Sequence, residues 1–152
     1  MRASVAFEPY PDQEIVPNWC FFWLGLDRSV FENSVFVHRP GSPAIWVASN
    51  QVHLIDTPLP ETVGLLVMRK PPPKGKPTSV FLQRFADGAT KNVYTLDAED
   101  AERFLRRDPV QIVPVDDARS YCVVRTADFV LGCGRVNGNT LVSEVPRSWM
   151  SS

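Results

Sequence analysis

Few residues of this chain have the chemistry of an acid, base, nucleophile or metal ligand near neutral pH. The histidines are His38 and His53, and neither lies in an HExxH or HxH spacing that would hold a metal. Polar positions at strand ends account for both; joined to Asp56 they would form an unfamiliar enzyme site. The three cysteines, Cys20, Cys122 and Cys133, include no CxxC pair, so neither a disulfide scaffold nor a structural zinc site is expected. Their sequence neighbours supply no base or cation to activate a thiol. Asp116-Asp117 resembles paired carboxylates, but adjacent residues of an extended chain face opposite sides, and a loop is expected. Gly132-Cys-Gly134 lacks the third glycine and following helix of a dinucleotide fingerprint. It reads as a hairpin end or bulge where something comes close to the backbone, and a polynucleotide backbone is one such thing. No catalytic residue, metal or cofactor is expected.

Charge is more informative. The 152 residues carry 16 basic and 17 acidic side chains, a net charge of −1 that by itself argues against a strongly basic nucleic-acid binder. The charge is sorted into blocks, however. Residues 1–68 sum to −4, 69–91 to +5, 92–117 to −4 and 118–152 to +2. The first basic block holds Arg69, Lys70, Lys74, Lys76, Arg84 and Lys91, much of it on the proline-stiffened stretch Lys70-Pro-Pro-Pro-Lys-Gly-Lys-Pro77. A solvated loop explains such a block, and so does a groove tracking phosphates, where each neutralised phosphate releases a counterion. Phe81, Phe85 and Tyr94 beside it are core residues or stacking platforms.

The elements that must position these groups are short. Fourteen prolines and frequent Val, Phe and Ile predict many brief strands. Expected strands are 35–38, 44–48, 52–55, 63–69, 79–85, 92–96, 121–125, 129–132 and 140–144. One segment, Asp97 to Arg107, reads clearly as a helix: Asp97 caps it, and Ala101, Phe104 and Leu105 make its apolar stripe. Pro109 marks its exit, and a shorter helical turn is expected at 27–33. Thr126-Ala-Asp128 and Val136-Asn-Gly-Asn139 read as hairpin turns. The proline-rich stretch is expected to join two strands. Trp19, Phe21, Phe22 and Trp23 form either core or an exposed docking patch. No apolar run approaches the roughly 20 residues of a membrane span, and the N-terminus has no secretory pattern. A cytoplasmic protein with no membrane partner is expected.

Several stretches resemble a known family. Ala89-Thr-Lys-Asn-Val-Tyr-Thr-Leu-Asp97 running into Glu102-Arg-Phe-Leu105 is similar to a segment near the C-terminus of RNA cytosine-5 methyltransferases of the Nol/Nop/Sun type. Tyr121-Cys-Val-Val-Arg125, Leu131-Gly-Cys-Gly-Arg135 and 138–147 resemble those tails too. Trp46-Val-Ala-Ser49, Glu61-Thr-Val-Gly-Leu65 and Lys76-Pro-Thr78 are similar to the small domain before the tail. One departure is Ala127-Asp128, where the family usually has a glycine. The methyltransferase domain has no counterpart here, nor has its Pro-Cys motif, since Trp19 precedes Cys20.

The resemblance implies an α+β, mostly β fold: a PUA-like pseudo-barrel with one well-capped helix over 87–152, preceded by a small strand-rich α/β domain over 1–86. It implies a free-standing RNA-binding module without methyltransferase activity, acting on structured rRNA or tRNA in RNA modification or ribosome biogenesis. A separately encoded methyltransferase or a ribosome-assembly factor is an expected partner. From the family pattern Lys76, Lys91, Arg125, Gly132, Gly134, Arg135 and Arg147 are expected at the RNA. Arg69, Lys70, Lys74 and Arg84 join them on charge clustering alone. The alternative is a protein-interaction domain that uses the aromatic N-terminal segment and has lost RNA binding.

Overall fold

The computed structural model describes residues 7–50, 64–116 and 118–150. The expected strand 52–55, together with His53, Asp56 and Asp117, lies outside the described residues.

Four antiparallel strands form the first sheet in chain order: β1 (Glu8–Pro9), β2 (Ser34–His38), β3 (Ile45–Ser49) and β4 (Gly64–Met68). Helix α1 (Ile15–Leu24) lies between β1 and β2, followed by a 3-10 turn at Arg28–Phe31. Helix α2 (Ser79–Phe85) then leads to β5 (Val93–Thr95), α3 (Ala98–Leu105), β6 (Val110–Gln111), β7 (Tyr121–Arg125), β8 (Val130–Asn137) and β9 (Thr140–Ser143). The second sheet has the order β5-β7-β8-β9-β6, with β5 parallel to β7 and the other pairs antiparallel. This is the expected α+β, mostly β architecture, with a curled second sheet of PUA-like pseudo-barrel type.

The second sheet is buried on both faces, which is why β7 reads as a continuous apolar run rather than alternating. Val123 and Cys133 face a core shared with Val16, Trp19, Leu24, Phe36, Val67, Phe81 and Leu82 from the elements before β5. Cys122, Val124 and Leu131 face a second core closed by Ala101 and Phe104 of α3. Asp97 caps α3 as expected, its carboxylate accepting from the Asp100 N–H at 2.8 Å. Arg103 and Arg106 pair with Glu99 and Glu102 one turn earlier, at 3.4 and 2.8 Å. The β8–β9 hairpin turns on Gly138 at φ +63, because the Asn137–Thr140 pair leaves only two loop residues. At the β7–β8 turn the Thr126 hydroxyl accepts from the N–H groups of Asp128 and Phe129, closing the turn without a glycine.

Two expectations are corrected. Residues 79–85 form a helix, not a strand. Thr78 caps it, its hydroxyl accepting from the Phe81 N–H at 3.2 Å, and Phe81, Leu82 and Ala86 are buried while Gln83 and Arg84 are exposed. That is helical spacing; the absence of a polar alternation in this stretch reflects a period of 3.6 rather than a doubly covered strand. The proline-rich stretch therefore joins a strand to a helix. The aromatic segment is helix α1, whose inner face is Val16, Trp19, Cys20 and Leu24. Pro17 fits because it falls in the first turn, where its missing N–H has no intrahelical partner to lose. Phe21 and Phe22 point outward, so the segment is both core and surface.

Asn92 is the main buried polar junction. It sits at φ +54, a left-handed conformation that Asn tolerates better than most residues. Its amide donates to the Trp23 carbonyl at 2.8 Å and accepts from the Arg119 N–H at 2.9 Å. Its own carbonyl accepts from the Val123 N–H at 2.8 Å. Asn92→Ala strands two of these groups and leaves a Cβ residue at positive φ; urea unfolding is expected to show a loss of about 2–4 kcal/mol. Asn92→Gly, which relieves the φ strain, loses less.

Candidate nucleic-acid interface

The eleven expected contact residues do not form one cluster. They fall into three neighbourhoods and a separate Arg147, with Gly132 and Gly134 inside the protein.

The first neighbourhood joins the proline-rich stretch to the second sheet. Lys76 Nζ lies 2.9 Å from Glu144 Oε1, and Arg135 Nε lies 3.2 Å from Glu144 Oε2. One carboxylate, only 17% exposed, thus holds two cations from opposite halves of the chain, each still more than 40% exposed. Burial by itself would raise the Glu144 carboxyl. The hydrogen bonds and charges of Lys76 and Arg135 outweigh it and hold the group below its ordinary range. Arg69, Lys70 and Lys74 are exposed on the same loop.

The second neighbourhood is at the other end of β7. Arg125 is 16% exposed, 3.2 Å from Asp87 Oδ1, and donates to the carbonyls of Asp87 and Thr126. Its guanidinium ties the end of α2 to the β7–β8 turn. Arg84 lies nearby with its guanidinium 5.4 Å from the Phe85 ring centroid. Arg84 and Asp87 line a cavity of about 590 Å³ with Asn33, Ser34 and Ser49. The third neighbourhood is Lys91, exposed beside Phe22 and Arg119. Arg147 stands apart in the C-terminal 3-10 turn. Arg119, which reasoning from sequence passed over, becomes visible only once Asn92 brings its backbone to the end of α1.

Close approach does occur at Gly132 and Gly134, and the protein's own side chains make it. A Cβ at Gly132 would lie 2.6 Å from Ser79 Oγ and 2.8 Å from Val145 Cγ1; at Gly134 it would lie 2.7 Å from Val124 Cγ2. The space at Gly132 is filled by α2. Ser79 Oγ accepts from the Cys133 N–H at 2.9 Å, and Gln83 Nε2 donates to the Leu131 carbonyl at 2.9 Å. Phe81 and Tyr94 are buried, and the Tyr94 hydroxyl accepts from the Val115 N–H, so neither offers a stacking face.

The three thiols are not poised for covalent chemistry. Burial pushes the Cys20 and Cys133 thiols far up and the Cys122 thiol up to about 12, which keeps them protonated and unreactive. His38 lies 3.7 Å from Glu8, edge-on to Tyr10. Among the described residues no group of three or more His, Cys, Asp or Glu side chains could hold a metal. Nor is any described helix long and apolar enough to cross a membrane.

Two measurements check this chemistry. Because the folded Glu144 carboxyl is depressed, its stabilising contribution is complete above its ordinary value near 4.5 and is lost as pH falls through the folded value. Glu144→Gln is therefore expected to lower the melting temperature at neutral pH and to flatten its acid limb. In the native protein all three thiols are expected to resist a disulfide titrant at pH 8 and to react only on unfolding.

No curated protein matches the chain. Residues 91–151 match the family model described as the methyltransferase RsmF PUA domain, a stretch that runs from the strand-to-helix unit β5–α3 through the curled sheet to the C-terminal turn. Residues 91–151, built on the second sheet and α3, are thus similar to a PUA domain of the RsmF methyltransferase type.

Proposed function

We propose that the protein is an RNA-binding module that engages structured rRNA or tRNA in RNA modification or ribosome biogenesis, with no methyl-transfer activity of its own. The observation that supports this reading is the match of residues 91–151 to the PUA-domain family model, since PUA domains are RNA-binding and non-catalytic modules. In this reading residues 1–86 are a supporting small domain whose loop cations extend the binding face of residues 87–152.

The exposed cations Arg69, Lys70, Lys74, Arg84, Lys91 and Arg147 contact phosphates, which fix position without reading sequence. Lys76 and Arg135 take part as a pair preset by Glu144. Gly132, Gly134 and Arg125 serve by holding the sheet, its turn and α2 in place. A separately encoded methyltransferase or assembly factor is the natural companion of such a module.

With a total charge of −1 the interaction is modest. Fluorescence anisotropy with a labelled structured RNA is expected to show affinity falling with salt, at a log–log slope of roughly 0.7–0.9 per phosphate neutralised. The pair Lys70→Glu and Lys74→Glu is expected to weaken binding several-fold and lower that slope, with the melting temperature unchanged. Absence of binding at low salt, or binding indifferent to salt, overturns the proposal.

A further inference from the structure

Helix α1 turns Trp19 inward and leaves Phe22 66% exposed. Two hollows flank Phe22, of about 350 and 270 Å³, each several times the ~30 Å³ share of a water molecule. The first is walled by Lys91, Asn92, Val115 and Arg119, and the second by Trp23, Pro73 and again Arg119. The Phe22 ring is therefore a ridge between two slots. Both slots lie where the matched domain meets the preceding half of the chain.

This surface is held rigidly. Asn92 bonds to the Trp23 carbonyl and the Arg119 N–H, fixing both walls from one buried side chain. The Trp23 indole donates to the Tyr121 carbonyl at 3.0 Å, and the Arg119 guanidinium lies 5.4 Å from a Trp23 ring centroid. An exposed aromatic ridge between rigid slots, with Lys91 at its edge, matches a planar, apolar group on an anionic chain.

We propose that this groove holds an unpaired nucleobase of the bound RNA stacked on Phe22, with a neighbouring phosphate on Lys91. The inference rests on the RNA-binding reading above and adds to it a preference for RNA with a single-stranded loop or bulge. A duplex keeps its bases stacked on one another and offers none to Phe22. Aromatic stacking of this kind tolerates any base, so the groove selects unpaired structure rather than sequence.

The test compares an RNA hairpin carrying 2-aminopurine in its loop with a blunt duplex of equal charge, bound by wild type, Phe22→Ala and Phe22→Trp. Wild type is expected to prefer the hairpin by about tenfold, the order of one stacked base, and to quench the 2-aminopurine. Phe22→Ala loses the preference and the quenching yet keeps its salt-sensitive binding to the duplex; Phe22→Trp retains all three. Melting temperatures stay equal, because the ring is mostly exposed. Equal binding of hairpin and duplex by wild type, or an unchanged preference in Phe22→Ala, overturns the groove while leaving RNA binding intact. Failure of both RNAs to bind at low salt overturns RNA binding itself and the groove with it. If Phe22→Ala instead dissolves a dimer and leaves RNA binding untouched, the surface is a protein contact and the proposal fails.

Discussion

The docking of α2 on β8 is the contact on which the two sheets depend. Strand β9 pairs with β8 only from Gly134 onward, and Glu144 donates its N–H to Cys133 as it leaves. The Leu131 carbonyl and the Cys133 N–H on that side are left for another partner. Ser79 and Gln83, one helical turn apart, supply it, so a helix that precedes the second sheet in the chain completes the hydrogen bonding of one of its strands. Gly132 lies between those two groups and has no side chain to hold the helix away. A buried backbone polar group without a partner costs on the order of 1–3 kcal/mol, so each bond is a requirement of the fold. Phe81 and Leu82 of the same helix then bury against residues of both halves.

The seam also governs the charge pattern. Lys76 precedes α2 and Asp87 follows it, and each meets an oppositely charged residue of the second sheet: Glu144 for Lys76 and Arg125 for Asp87. Part of the basic block is thus spent on joining the halves. What remains exposed is the loop carrying Arg69, Lys70 and Lys74, Arg84 on α2 and the separate site at Lys91. A modest net field with a few well-placed cations suits a module that positions RNA more than one that grips it.

Where reasoning from sequence failed, the failures have a common cause. In α2 and α1, aromatic and β-branched residues fill helices that contribute to a core shared by distant segments, and tertiary burial overrides local propensity. The Thr78 cap and the Phe81, Leu82, Phe85, Ala86 spacing were the available signals for α2. For α1 there was less to read, since outward-facing Phe21 and Phe22 erase the polar face by which a helix is recognised. The α3 helix was legible because its cap, its end charges and its stripe all agree.

By itself the sequence determined the short-strand α+β character, the capped helix, the tight hairpins and the block-wise charge, because these depend on local chemistry and residue order. Only the tertiary structure decided which cations are neutralised, what approaches Gly132, and that Phe22, Lys91 and Arg119 border one groove. Most of those facts depend on pairs far apart in sequence, such as Ser79 with Cys133 at 54 positions and Trp23 with Tyr121 at 98. Spacing along a chain carries no record of such pairs until packing brings them together.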